Sequence, residues 1–402
     1  MDLFIARQPI LTVHRRLYGY ELLYRGTKTS SLSNTSGNKA TTSVLSSAFL
    51  TEGIERISGL RPCFINFTRD LLLQNLPASF PKKLIVVEIL EDVQPTPDII
   101  DICKKLHNDG YTIALDDFVY NSSLDPLLAI ADIIKFDFLL TPIDTLQKTL
   151  YKLSRYKLKY LAEKVESYDE FIKASKLGFS YFQGYFFCKP EKIRIREIDS
   201  SKINLVNLLA EVNKKTTTLG KIEKIVLRDV ALAYKLLRYI NSSYFYRPNR
   251  IDSVAHAITY LGENELRRFI ILVLISELAS DKPGELVRLA VVRAKMGELL
   301  AAETSLKNKA DEIFLLGLFS LLEALLDTTI DYICEQLSLS DNIKDALVSK
   351  TGPFAPFLDL ILSYEKRDKA SCLAAAQATG VPAGKLAEMY LEAITFTESV
   401  LD

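Results

Sequence analysis

The chain has 402 residues, 48% of them apolar and 25% charged, a mix that suits about two to three soluble domains of ordinary size. Its 50 basic residues equal its 50 acidic ones, so a general electrostatic grip on nucleic acid is not expected, although a local pocket for one small anion is allowed. The five scattered cysteines form no C-x-x-C pair, which argues against a zinc site or a disulfide framework and suits a reducing cytoplasm.

In chain order, FIARQPIL and RRLYGYELLYR within residues 1–25 are strand-like runs joined by a polar turn, as in a hairpin. The polar stretch 27–42 reads as a loop, and 43–58 has helical spacing. Short β-branched runs follow at 84–89, 112–115, 132–138, 159–162 and 181–187. Between them lie helical stretches such as 98–108, which Asp109-Gly110 closes. Alternating strands and helices predict βα units on a mainly parallel sheet, either a closed (β/α) barrel or a doubly wound sheet. The charged segment PEKIRIREIDSSK after Phe187-Cys188-Lys189 reads as a connector.

From 202 onward the periodicity is helical, over 202–213, 218–225, 227–241, 252–260, 263–278, 284–303, 309–326, 328–336, 341–349, 355–366, 368–377 and 383–400. Gly262, Gly352-Pro353 and Gly380 are stop signals between runs. Two domains are expected, an α/β domain over 1–195 and an all-α domain over 200–402. The longest apolar stretch near the middle, Phe269–Ile275, is far shorter than the ~20 residues needed to span a bilayer. The N-terminus has no signal-peptide pattern, so a soluble, cytoplasmic protein without membrane contact is expected.

In the first half, polar residues gather at the ends of the apolar runs. Glu88 and Glu91, Asp116 and Asp117, Lys135 and Asp137, Glu163 and Glu166, and Gln183 mark successive runs, and Glu21 and Asn66 belong to earlier ones. In a (β/α) barrel those strand ends converge on one face. Carboxylates so close repel one another unless a cation lies between them. Oxygen-only donors without a nearby histidine favour Mg²⁺ or Mn²⁺ over zinc, and two such ions about 3.5–4 Å apart serve phosphodiester hydrolysis. A single acid of this kind is ordinarily just solvated; a set of seven in register is what points to a metal–phosphate site.

The same residues carry a resemblance to the EAL family of barrels that hydrolyse or bind cyclic di-GMP. Gln8–Ile10 resembles the family's Q-P-I opening strand, and Glu21-Leu22-Leu23-Tyr24-Arg25 resembles E-x-L-x-R with leucine for the middle alanine. Ile65-Asn66 resembles the asparagine strand, and Glu88-Ile89-Leu90-Glu91 is similar to E-x-T-E with leucine for threonine. Asp116-Asp117-Phe118 resembles D-D-F, Lys135-Phe136-Asp137 K-x-D, Gln183-Gly184-Tyr185 Q-G-Y, and Ala162–Glu166 A-E-G-V-E with lysine for the glycine. The resemblance implies a TIM-like barrel. It places Glu21, Asn66, Glu88 and Asp116 on a first metal, and Asp116 and Asp117 on a second. It makes Glu163 the general base and Lys135 the group that orients the attacking water. Gln8 and Arg25 would contact the nucleotide, with Gln183 there or beside it, and Glu91, Asp137 and Glu166 would support the site. One departure stands out: after D-D-F the family's G-T-G-Y-S-S loop is replaced by Val119-Tyr120-Asn121-Ser122-Ser123, without glycine and one residue shorter.

In the second half, 236–245 and 251–270 resemble the HDOD domain, a relative of HD phosphohydrolases without their catalytic His-Asp pair, and 285–301 and 314–327 resemble the helical extension found in EAL–HDOD proteins. The domain's one histidine, His256, reads as a packed helix residue, and Asn241-Ser242 as a helix end. The resemblance implies a bacterial cyclic di-GMP signalling protein. Its barrel would bind, and slowly hydrolyse or merely sense, the nucleotide with Mg²⁺ or Mn²⁺. Its HDOD domain would contact an unidentified signalling protein, and a homodimer is compatible with this. The alternative is a catalytically inactive receptor or a protein-interaction scaffold.

Overall fold

The computed structural model of the protein describes residues 3–26, 54–189 and 202–401, apart from 215, 243, 246–249 and 338. Within those ranges the side chains of 3–5, 24–26, 56 and 228 fall outside the description. The expected polar loop 27–42, the start of the 43–58 helical run and the connector after Lys189 therefore lie outside the described residues. The chain divides into two compact units, Met1–Phe187 and Cys188–Asp402.

The first unit is a closed barrel of eight strands in chain order. They are β1 (Leu3–Thr12), β2 (Leu17–Gly26), β3 (Cys63–Phe67), β4 (Ile85–Ile89), β5 (Thr112–Leu115), β6 (Ile133–Asp137), β7 (Lys159–Glu163) and β8 (Tyr181–Gln183). The hairpin expected at the start makes β1 antiparallel to β2, and β1 is also antiparallel to β8; every other pairing is parallel. The intervening helices are α1 (Ile54–Ser58), α2 (Arg69–Leu73), α3 (Pro97–Asn108), α4 (Asp125–Leu128), α5 (Leu146–Leu153) and α6 (Tyr168–Lys176). Helix α3 shows why these segments are helical. Pro97 occupies its first turn, where a missing N–H costs nothing. Ile99, Cys103 and Leu106 recur at helical spacing and are all buried.

The 181–187 run is strand only as far as Gln183, and Tyr185–Cys188 form a 3₁₀ turn. Gly184 makes the break. Its φ is 146°, and a Cβ there would lie 2.1 Å from the Val165 carbonyl oxygen, so only glycine fits.

The strand period places the site. Ile10, Phe64, Val86, Ala114, Ile133, Leu161 and Tyr181 form one buried apolar cluster, with Tyr18 packed against it. Side chains two residues apart share a strand face. The next inward layer is therefore Gln8, Asn66, Glu88, Asp116, Lys135, Glu163 and Gln183, to which β2 adds Glu21 opposite Gln8. An apolar plug thus carries a polar ring with one residue from each strand or its end.

The second unit is helical. Its helices are α7 (Ile203–Asn213), α8 (Leu219–Arg228), α9 (Val230–Ile240), α10 (Val254–Leu278), α11 (Gly284–Ala302), α12 (Ala310–Phe319), α13 (Leu322–Leu326), α14 (Ile330–Gln336), α15 (Asp341–Lys344), α16 (Ala355–Glu365), α17 (Lys369–Thr379) and α18 (Leu386–Leu401). Helix α11 is central and packs against α12, α16 and α18. Gly262 breaks α10 with φ 70° and ψ −178°, so the segment is two helices joined across a kink, and Gly380 caps α17 in the left-handed conformation. The expected helix 309–326 is interrupted between Phe319 and Leu322. Asn241 ends α9, as read from the sequence; its Nδ2 donates to the Leu237 and Ile251 carbonyls and its Oδ1 accepts from the Ile251 N–H. His256 corrects its expectation. It is exposed, because α10 buries Ala257, Ile258 and Leu261 on the opposite face. Among the described residues no helix is long and apolar enough to cross a membrane.

Candidate active site

Lys135 stands at the centre of the polar ring. It is fully buried, so its ammonium must be surrounded by anionic acceptors. Carboxylate oxygens of Asp116 (2.9 Å), Glu163 (2.8 Å) and Glu21 (3.5 Å) face it, and Glu88 accepts a short hydrogen bond from it. These acids arrive from β2, β4, β7 and the end of β5 because the period-2 pattern aims them inward, one layer above the apolar plug.

Four carboxylates around one ammonium leave the cluster short of positive charge. Burial raises the Glu88 carboxyl well above its ordinary range, against the pull of Lys135, and Asp116, Glu21 and Glu163 push it further up. Burial likewise raises Glu163 to about 8 despite Lys135. Asp116 shifts downward: burial opposes this, but Lys135 and hydrogen bonds from its neighbours outweigh it. Lys135 itself stays protonated, since the carboxylates more than offset its burial.

The other ring members orient this cluster. Gln183 donates from Nε2 to Glu21 Oε2 at 2.6 Å and to Gln8 Oε1 at 3.0 Å, and Asn66 Nδ2 lies 3.5 Å from Glu21 Oε1. Gln8 and Gln183, expected on the nucleotide, are thus bonded to one another in this structure. Buried Asn66 Oδ1, Glu88 Oε2 and Gln183 Oε1 have no hydrogen-bond partner among the described residues. Orphaned oxygens beside crowded carboxylates suit a hard divalent cation.

A second group sits beside the first. Asp116, Asp117 and Glu163 can bring ligand atoms within 4.8 Å of one another, the one such group of acidic, His or Cys side chains among the described residues. Asp117 has φ 38°, and its carboxyl is raised by burial and by Asp116. Asp137 is buried; it accepts the Leu139 N–H at 2.7 Å and a short hydrogen bond from Lys164. Lys164 was legible in the sequence only as a replaced glycine, and its pairing with Asp137 was not. Glu91 and Glu166 lie exposed, outside the ring. Arg25 lies in β2 with its side chain outside the described residues.

The segment after Phe118 is held in place. Asn121 has φ −137° and accepts the Ser123 N–H, opening a 3₁₀ turn over Ser122–Leu124. The Tyr120 hydroxyl bonds Asp125 at 3.4 Å, and Lys152 lies 4.8 Å from the Tyr120 ring centre.

Comparison with known proteins gives two family matches, the EAL domain over residues 54–190 and the HDOD domain over 202–331. The cyclic di-GMP phosphodiesterase CdgJ of Vibrio cholerae is 39% identical over 91% of this chain and 85% of its own. The YuxH protein of Bacillus subtilis is 34% identical over the full length of both chains. Among solved structures, an EAL-domain protein from Listeria monocytogenes is 20% identical with a TM-score of 0.38, covering 46% of this chain and 87% of that one.

Proposed function

The chain belongs to the EAL-domain family, in the two-domain form that carries a C-terminal HDOD domain, and we propose that its barrel binds cyclic di-GMP together with Mg²⁺ or Mn²⁺ and hydrolyses it slowly to the linear dinucleotide. The observation that carries this reading is the oxygen-only ring of Glu21, Asn66, Glu88 and Asp116 with unpartnered oxygens on Asn66 and Glu88. A divalent ion bound there supplies electrophilic activation of a phosphodiester.

The chain's own residues do the rest. Lys135 holds Glu163 Oε1 in place and provides a fixed positive charge at the ring's centre. Glu163, as base, takes the proton of the attacking water at its carboxylate. Its raised carboxyl makes it a stronger base than an exposed glutamate once it is ionised. Gln183 fixes Glu21 through a 2.6 Å bond. Asp117 would help to hold a second ion, which would activate the attacking water, and a misplacement of reacting groups by about 1 Å can cost on the order of 10²-fold in rate. The rebuilt segment after Phe118 therefore handicaps turnover more than binding.

The helical unit, on this reading, contacts a partner signalling protein. Leu227, Val230 and Tyr234 on α8 and α9 are 56%, 86% and 64% exposed, an apolar surface suited to that role. The test is equilibrium titration of the full chain with cyclic di-GMP, with product analysis in Mg²⁺ and in Mn²⁺. Binding with linear dinucleotide formed well below about 1 s⁻¹, an ordinary enzyme rate, is expected. Rapid turnover would contradict the slow-hydrolysis reading, and no binding with either metal would contradict it altogether.

A further inference from the structure

Lys164 follows Glu163 at the end of β7 with φ 52°. This is the left-handed region, which glycine enters freely and lysine at a cost. The side chain is half exposed, yet its ammonium bonds the carboxylate of Asp137, whose side chain is 1% exposed. The same ammonium acts electrostatically on Asp117 and Glu163. Those two acids, with Asp116, form the group whose ligand atoms can close to within 4.8 Å. To the charge that Lys135 already brings to Asp116 and Glu163, the chain therefore adds a second ammonium, tied to Asp137 and acting on Asp117 and Glu163.

Resting on the metal-site reading above, we propose that Lys164 is a resident cation that takes the charge-balancing part of the second divalent ion, so that the barrel loads one ion tightly and a second only weakly. The argument is Coulombic. A like charge acting on two acids of a half-buried site weakens cation binding there, and an ion pair with a buried carboxylate keeps that charge from swinging away. Of the first-ion ligands, Glu21, Asn66 and Glu88 lie on β2, β3 and β4, away from this pair in the closed barrel order, and Asp116 at the end of β5 is shared with the second group.

The test is a titration of the full chain with MnCl₂, without nucleotide, read by calorimetry and by the electron paramagnetic resonance of free Mn²⁺. Lys164→Met removes the charge at similar size, Lys164→Gly removes it and relaxes the backbone, and Lys164→Arg keeps it. The wild type and Lys164→Arg are expected to bind one ion tightly. In Lys164→Met and Lys164→Gly, affinity for a second ion should rise at least about tenfold. Unchanged second-ion affinity in both neutral variants, with the first ion still bound, overturns the role of Lys164 and leaves the metal-site reading standing. Two ions of like affinity in the wild type also overturn it. No Mn²⁺ bound by any of the four proteins overturns the metal-site reading and this inference together.

Discussion

Lys135 and the carboxylates of Glu21, Glu88, Asp116 and Glu163 form a single electrostatic unit in which the ammonium is the one counter-charge. Taking away the ammonium leaves crowded, largely buried acids without a counter-charge. Lys135→Met should therefore destabilise the metal-free barrel by about 3–5 kcal/mol, the scale for breaking a buried ion pair. Denaturant unfolding in chelator would measure this, and Mn²⁺ should recover part of the loss. Glu163 sets a pH dependence of definite sign. Its folded-state value of about 8 lies above the ordinary 4.5, so the unfolded chain releases that proton first. The stability it contributes is complete below about pH 4.5 and is lost as pH rises toward 8. Urea midpoints of the metal-free protein should fall across that window, on the order of a few kcal/mol in stability, and Glu163→Gln should flatten the fall. A wild-type profile as flat as that of the variant would count against the buried, protonated Glu163.

At the scale of elements, the proposed slow turnover turns on the segment after β5. Asn121 and Tyr120 tie it to its own 3₁₀ turn and to Asp125, and Asn121 is far from any glycine-like conformation. Rebuilding 119–123 as Gly-Thr-Gly-Tyr-Ser-Ser should raise turnover by about tenfold or more while leaving nucleotide affinity little changed, since positioning governs rate more steeply than binding. Single-turnover kinetics beside equilibrium titration would separate the two. The strands were legible because runs such as 84–89 and 132–138 are short, β-branched and largely apolar, as strands buried on both faces are. The end of β8 was not, because Tyr185, Phe186 and Phe187 continue the aromatic texture past Gly184. What stops the strand is the approach of the Val165 backbone, a contact distant in sequence. The interruption after Phe319 was hidden in the same way, since its apolar residues are buried on both sides of the break.

For the whole molecule, the change of texture after Pro190 and the compact units meeting at Phe187/Cys188 describe two bodies with different chemistry. The ring residues Glu21, Asn66, Glu88, Asp116, Lys135, Glu163 and Gln183 could be picked out in advance, because they are the polar residues that mark successive apolar runs and they fall in the motifs that resemble the EAL family. Their partners could not. That Gln183 bonds Gln8 and Glu21, that Lys164 pairs with Asp137, and that Glu91 and Glu166 stay outside the ring all depend on side-chain direction at the strand ends. In the proposed function, the barrel holds cyclic di-GMP through a metal-loaded carboxylate ring. The most direct measurement is the affinity of the full chain for cyclic di-GMP in Mn²⁺ and in chelator, for the wild type and for Glu88→Ala. The account predicts binding by the wild type in Mn²⁺, with affinity at least about tenfold weaker in chelator and in Glu88→Ala, a loss of 1.4 kcal/mol or more. Equal affinity under all of these conditions, or no binding under any, would contradict it.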